Sequence, residues 1–133
     1  MNKEPHVAVV GATGAVGIEM IKTLEKRNFP VGKLTLLASA RSVGKKLKFR
    51  GGDVTVTELT KDSFAGIDIA LFSAGGNISK EFAPLAAKAA GASIVFSNHS
   101  MYDHAWTRSR VARRPGEESP FVIGAEAVDR YFT

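Results

Sequence analysis

The stretch VVGATGAVG, Val9 to Gly17, constrains the fold more than any other part of the chain. It follows directly on HVAVV, His6 to Val10, a short and nearly continuous apolar run of the kind that forms a strand buried on both faces. Glycine ends the run at Gly11 and returns at Gly14 and Gly17, and a helical pattern begins at once. A first glycine at a strand end permits a tight turn, a second lets a ligand phosphate approach the main chain, and a third lets the helix pack closely on the sheet. The helix start adds unpaired N–H groups and the positive end of its dipole. Gly11, Gly14 and Gly17 take these three parts, spaced G-x-x-G-x-x-G rather than the commoner G-x-G-x-x-G, and the ligand they imply is a dinucleotide pyrophosphate.

Strands and helices then take turns along the chain. A helix is expected from Ala15 to Lys26, because Val16, Met20, Ile21 and Leu24 recur at helical spacing and the basic end suits the dipole; Asn28, Pro30 and Gly32 stop it. Leu34 to Ala38 reads as a second buried strand. KKLKF and VTVTEL flank Gly51-Gly52-Asp53 as an antiparallel hairpin or two short edge strands. Ile67 to Phe72 is a further buried strand, and after Gly75-Gly76 a helix is expected over Ile78 to Ala90, capped by Asn77 or Ser79 and kinked or restarted at Pro84. Ser93 to Phe96 closes the series as a strand. Such alternation implies right-handed βαβ units, hence an α/β, Rossmann-like fold with a mostly parallel sheet and helices on both faces.

Composition narrows the chemistry. At 133 residues and 44% apolar content the chain suffices for one compact domain. It has no cysteine, which excludes disulfides, zinc-thiolate sites and a cysteine nucleophile from these residues. The apolar run near the N-terminus is too short for a signal peptide, and no stretch is long enough to cross a membrane, so a cytoplasmic location and no membrane partner are expected; an organelle transit peptide, if any, would lie outside this chain. The net charge of +5 resides in residues 1–96, since residues 97–133 carry as many acids as arginines. RSRVARR is basic only locally and KKLKFR alternates like a solvated strand, so no nucleic-acid partner is expected.

The end of the second strand selects the dinucleotide. An acid there holds the ribose 2′-hydroxyl of NAD, whereas an arginine accommodates the 2′-phosphate of NADP. Ala38-Ser39-Ala40-Arg41-Ser42 contains no acid. Arg41 can fork onto phosphate oxygens, and the hydroxyls of Ser39 and Ser42 add neutral donors, which points to NADP.

Three motifs, VAVVGATGAVG, LLASARSVGKKL and DIALFSAGGNISKEFAPLA, in this order and at these separations, resemble the N-terminal half of aspartate-β-semialdehyde dehydrogenase over about residues 5 to 96. The resemblance implies an NADP-dependent enzyme that reduces β-aspartyl phosphate to aspartate semialdehyde with release of phosphate, in the biosynthesis of lysine, threonine and methionine. It implies that Thr13, Gly14, Ala15 and Val16 form the cofactor phosphate loop, that Ser39, Arg41 and Ser42 form the 2′-phosphate pocket, and that Ser73, Ala74, Gly75 and Gly76 form a second glycine loop beside the cofactor. The N-acetylglutamyl-phosphate reductases share the general chemistry, and the SARS and SAGG segments favour the aspartyl enzyme.

Beyond Phe96 the motifs depart from the family. The family's Asp-Asn-Ser-Ser-Ala-Phe-Arg segment is represented by Ser97 to Asp103, SNHSMYD; Asn98 and Ser100 fit as candidate substrate contacts, but Asp103 stands where an arginine would grip the substrate phosphate, which a carboxylate repels. All lysines precede residue 89 and most arginines follow residue 107. The expected organisation is therefore an NADP-binding domain over 1–96 and an atypical tail over 97–133, foreign, frame-shifted or divergent, or else completing the same domain. FVIGAEAVD, Phe121 to Asp129, is still similar to the family's next strand.

No catalytic residue is assigned. The family's acyl-enzyme chemistry needs a cysteine nucleophile and a histidine base from a later domain, and His6, His99 and His104 do not replace them. His99, Asp103 and His104 are too thin a set for a metal site. NADP(H) is the expected ligand, with a small-molecule substrate only in an intact enzyme. Family members are oligomers through contacts expected mainly in the later domain, so self-association of this chain is left open. Two other classes stay open: a non-catalytic NADP-binding or interaction module, and another NADP-dependent reductase. A short-chain reductase would need a Tyr-x-x-x-Lys pair, whereas Tyr102 is followed by Trp106.

Overall fold

In the computed structural model, which describes residues 4–92, the apolar run His6–Val10 forms strand β1. Val7 to Val10 are wholly inaccessible to solvent because both faces of the strand are covered. On one face Val7 and Val9 pack with Ile21, Leu36, Ala38 and Val56; on the other Ala8 and Val10 pack with Leu37, Phe64, Ile67, Phe82 and Ala86. Each such valine contributes about 1.5 to 3 kcal/mol of transfer free energy, which is why an uninterrupted apolar run is stable only in a central strand.

The chain continues through α1 (Ala15–Lys26), β2 (Lys33–Ala38), a short 3-10 turn at Ala40–Ser42, β3 (Lys46–Phe49), β4 (Gly52–Glu58), β5 (Ile69–Phe72) and α2 (Gly76–Ala90). The strand order is β3-β4-β2-β1-β5. All pairings are parallel except β3 with β4, which form an antiparallel hairpin. Ile21 of α1 lies in one apolar layer and Phe82 and Ala86 of α2 in the other, so the helices cover opposite faces of the sheet. This is the Rossmann-like α/β arrangement expected from the alternation.

Several boundaries differ from expectation for local reasons. Strand β5 starts at Ile69, because Ile67 belongs to a turn closed by its N–H on the Phe64 carbonyl (3.2 Å) and points into the core. Helix α2 starts at Gly76 rather than Ile78: the Gly75 carbonyl accepts the Ser79 N–H at 3.0 Å, which places Asn77 and Ser79 inside the first turn instead of at the cap. Pro84 sits within this helix without ending it, and Lys80, whose carbonyl loses a helical partner, is exposed to solvent. The hairpin turns on Arg50 and Gly51, both at positive φ, so Gly52 and Asp53 already belong to β4. The expected strand Ser93 to Phe96 lies outside the described residues, as do Asn98, Ser100 and Asp103.

Arg50 holds this unusual backbone by tying the hairpin to the end of α1. Its N–H donates to Glu25 Oε1 (2.6 Å), its guanidinium donates to the carbonyls of Val31 (3.0 Å) and Phe29, and its Cζ lies 5.0 Å from the centroid of the Phe49 ring. His6 has a packing role at the start of β1. Its Nδ1 donates to the Gly66 carbonyl (3.0 Å), and its Nε2 shares a hydrogen bond with Thr35 Oγ1 (2.7 Å).

Candidate dinucleotide site

Strand β1 lies between β2 and β5, so the chain leaves it on one side and returns on the other. The carboxyl ends of β1 and β5 thus form a topological switch point, where loops diverge and open α/β sheets take their ligands. Two glycine loops meet there. Gly11, at φ +82°, donates its N–H to the Leu37 carbonyl (2.8 Å), and a Cβ on it would lie 2.9 Å from the main chain of Ser73 and Ala74. The Ser73 N–H bonds the Val10 carbonyl at 2.8 Å, and the Ser73 hydroxyl shares its one proton between the carbonyls of Val10 (3.0 Å) and Gly11 (3.2 Å). Ser73 therefore pins the two loops together, and its remaining hydrogen-bonding capacity is as an acceptor.

The three glycines of the first loop differ physically. A Cβ on Gly17 would collide with the Gly11 carbonyl and lie 2.9 Å from Ala12 Cα, so helix α1 can approach its own loop only through glycine. Gly14 has no such constraint: its φ of −78° and ψ of 163° suit any residue, and a Cβ would only touch the Gly11 carbonyl at 3.4 Å. The protein itself does not require glycine at 14. What the bare position does is leave the start of α1 open. No side chain caps this helix, no acid stands in its first turn, and Ala15 and Val16 are exposed. The N–H groups of its first turn have no intrahelical acceptors, which with the dipole makes them donors for an anion.

The second loop is open in the same manner. Gly75 and Gly76 are exposed, a Cβ on either would meet nothing within 4 Å, and α2 also lacks an acid in its first turn. Beside β1, strand β2 ends at Ala38, and Ser39 and Arg41 are exposed in the turn that follows, whereas Ser42 is buried. The Ser42 Oγ lies 3.3 Å from the Thr13 Oγ1. The loop after β1 and the Ser39–Ser42 segment thereby meet at the carboxyl end of the sheet. Among the described residues no group of three or more His, Cys, Asp or Glu side chains is placed to hold a metal ion.

A family model, semialdehyde dehydrogenase, NAD binding domain, matches residues 6–123. The chain belongs to this family. It is similar to the aspartate-semialdehyde dehydrogenase of Bacillus subtilis, 54% identical over 92% of this chain and 32% of the relative, and to that of Aquifex aeolicus, 62% identical over 62% of this chain and 25% of the relative. Among solved structures it resembles aspartate semialdehyde dehydrogenase II of Vibrio cholerae complexed with ASA, with a TM-score of 0.68 at 46% identity over 76% of this chain and 33% of that one. The chain thus spans about a third or less of the curated relatives it matches.

In this member of the semialdehyde dehydrogenase family the two open glycine loops and the Ser39–Ser42 segment lie together at the carboxyl edge of the sheet. A cavity of about 370 Å³ lies between α1, Phe29 and Leu71, lined by Val16, Met20 and Leu24 together with Glu19, Thr23 and Arg27. The link between Thr13 and Ser42 had no signal in the sequence, because a hydroxyl pair so far apart in the chain shows neither spacing nor charge complementarity.

Proposed function

We propose that this chain is the NADP-binding portion of an aspartate-semialdehyde dehydrogenase, the family reaction being NADPH-dependent reduction of β-aspartyl phosphate to aspartate semialdehyde. The observation that carries the reading is the contact between Thr13 and Ser42, which brings the loop after β1 and the Ser39–Ser42 segment side by side. The main chain from Thr13 to Val16 would hold the pyrophosphate, Arg41 with Ser39 and Ser42 the 2′-phosphate, and Ser73 to Gly76 the side of the cofactor nearer its nicotinamide. When bound, the cofactor supplies or accepts the hydride. These residues bind and orient it, and they contain no nucleophile for the substrate, because the chain has no cysteine. The unit with this role is residues 1–96, with Asn98 and Ser100 as the substrate-side contacts of the tail.

Arg41 tests the choice of cofactor. A guanidinium paired with a phosphate contributes about 1.5 to 3 kcal/mol, and solvent exposure places Arg41 at the lower end. Arg41→Ala should weaken NADPH about tenfold in a calorimetric titration and leave NADH within about twofold. Equal losses for both nucleotides would reject the pocket.

A further inference from the structure

We propose that Thr13 is a positioning residue for nucleotide selection: its hydroxyl orients that of Ser42 toward the 2′-phosphate, so the loop after β1 takes part in the choice between NADPH and NADH. This rests on the NADP reading above. Ser42 is a buried polar side chain, 7% exposed, and its hydroxyl meets Thr13 Oγ1 at 3.3 Å, where either oxygen can donate. Both residues are held by their own loops, Ser42 through its N–H on the Ser39 carbonyl (2.8 Å) and Thr13 inside the turn closed by the Gly14 N–H on the Gly11 carbonyl (3.1 Å).

Each hydroxyl has one proton and two lone pairs. A phosphate only accepts, so once Ser42 donates to it, the contact with Thr13 has a single remaining direction: Thr13 donates to Ser42. The anion thus orders both protons into a chain, and hydrogen bonds in such a chain polarise and strengthen one another. The 2′-hydroxyl of NADH can donate as well as accept, and imposes no direction. Thr13 therefore favours the phosphorylated ribose without touching it, while Arg41 supplies charge from the solvent side.

The test titrates NADPH, NADH and adenosine 2′-phosphate, which lacks a pyrophosphate, into the 133-residue chain and its Thr13→Val, Thr13→Ala, Thr13→Ser, Ser42→Ala and Thr13→Val/Ser42→Ala variants. Thr13→Val and Thr13→Ala should each weaken NADPH and adenosine 2′-phosphate by roughly two- to tenfold, and NADH by a smaller factor. Thr13→Ser should restore parental affinity, and the double variant should bind no more weakly than Ser42→Ala. Equal loss of NADH and NADPH, an unchanged adenosine 2′-phosphate affinity, or losses that multiply in the double variant would overturn the proposal. If the parent chain does not prefer NADPH, or Arg41→Ala is not selective, the NADP reading falls and takes this inference with it. If both of those hold and the Thr13 variants are unselective, the inference falls alone.

Discussion

Gly14→Val is expected to fold with nearly parental stability yet bind NADPH at least about 100-fold more weakly, while Gly17→Ala destabilises the fold itself. The two glycines are three residues apart in one loop, and their surroundings decide the difference. At position 14 the backbone is extended and a Cβ has room, so valine costs the folded state no more than about 1 kcal/mol, mainly in helix capping. The valine methyls would instead fill the space over the first turn of α1 that the proposed pyrophosphate site needs. Losing two charge-assisted main-chain hydrogen bonds at roughly 1.5 kcal/mol each gives the stated factor. At position 17 the added atom meets the main chain of Gly11 and Ala12, which cannot move without displacing the end of β1. Overpacking against backbone should cost about 3 kcal/mol or more. Urea unfolding midpoints separate the two variants, and a Gly14→Val chain that binds NADPH like its parent would remove the pyrophosphate from this loop.

The second large effect is on catalysis: the 133-residue chain by itself should show no turnover. In the reaction proposed for the intact enzyme the substrate acyl group is carried on a cysteine sulfur while the hydride moves. A chain without cysteine cannot form that bond, so a bound nicotinamide would face no activated carbonyl. Asp103 in place of the expected arginine would further repel a substrate phosphate. Mixing the chain with aspartate semialdehyde, phosphate and NADP should give no NADPH above the protein-free rate. Sustained formation that scales with protein and survives repurification would require another nucleophile or a direct hydride mechanism.

The strongly periodic parts of this fold were legible in the sequence. Strand β1 needed only its apolar run and terminal glycine, and α1 its four spaced apolar residues, because burial on fixed faces leaves those patterns no alternative. The turn at Gly11 and the close packing at Gly17 agree with their contacts, whereas the fold itself does not require glycine at position 14. The start of α2 differs from expectation because glycine reads as a helix breaker, whereas Gly76 here falls in the first turn of the helix. Arg50 was invisible for a different reason. A non-glycine residue at φ 50° is held by partners from α1 and the α1–β2 connection, and only the folded chain brings these to it. The pairing of Thr13 with Ser42 belongs to the same class, since it follows from the register of β1 with β2.

The most direct measurement is a calorimetric titration of the unaltered chain with NADPH and with NADH under identical salt. Saturable one-to-one binding of NADPH, at least about tenfold tighter than NADH, is the predicted result, since a charged hydrogen-bonding group on the 2′-phosphate contributes about 1.5 kcal/mol or more. Binding of NADH as tight as or tighter than NADPH would contradict it, and would shift the ribose role from Arg41 to an acid such as Glu58, the register partner of Ala38 at the end of β4.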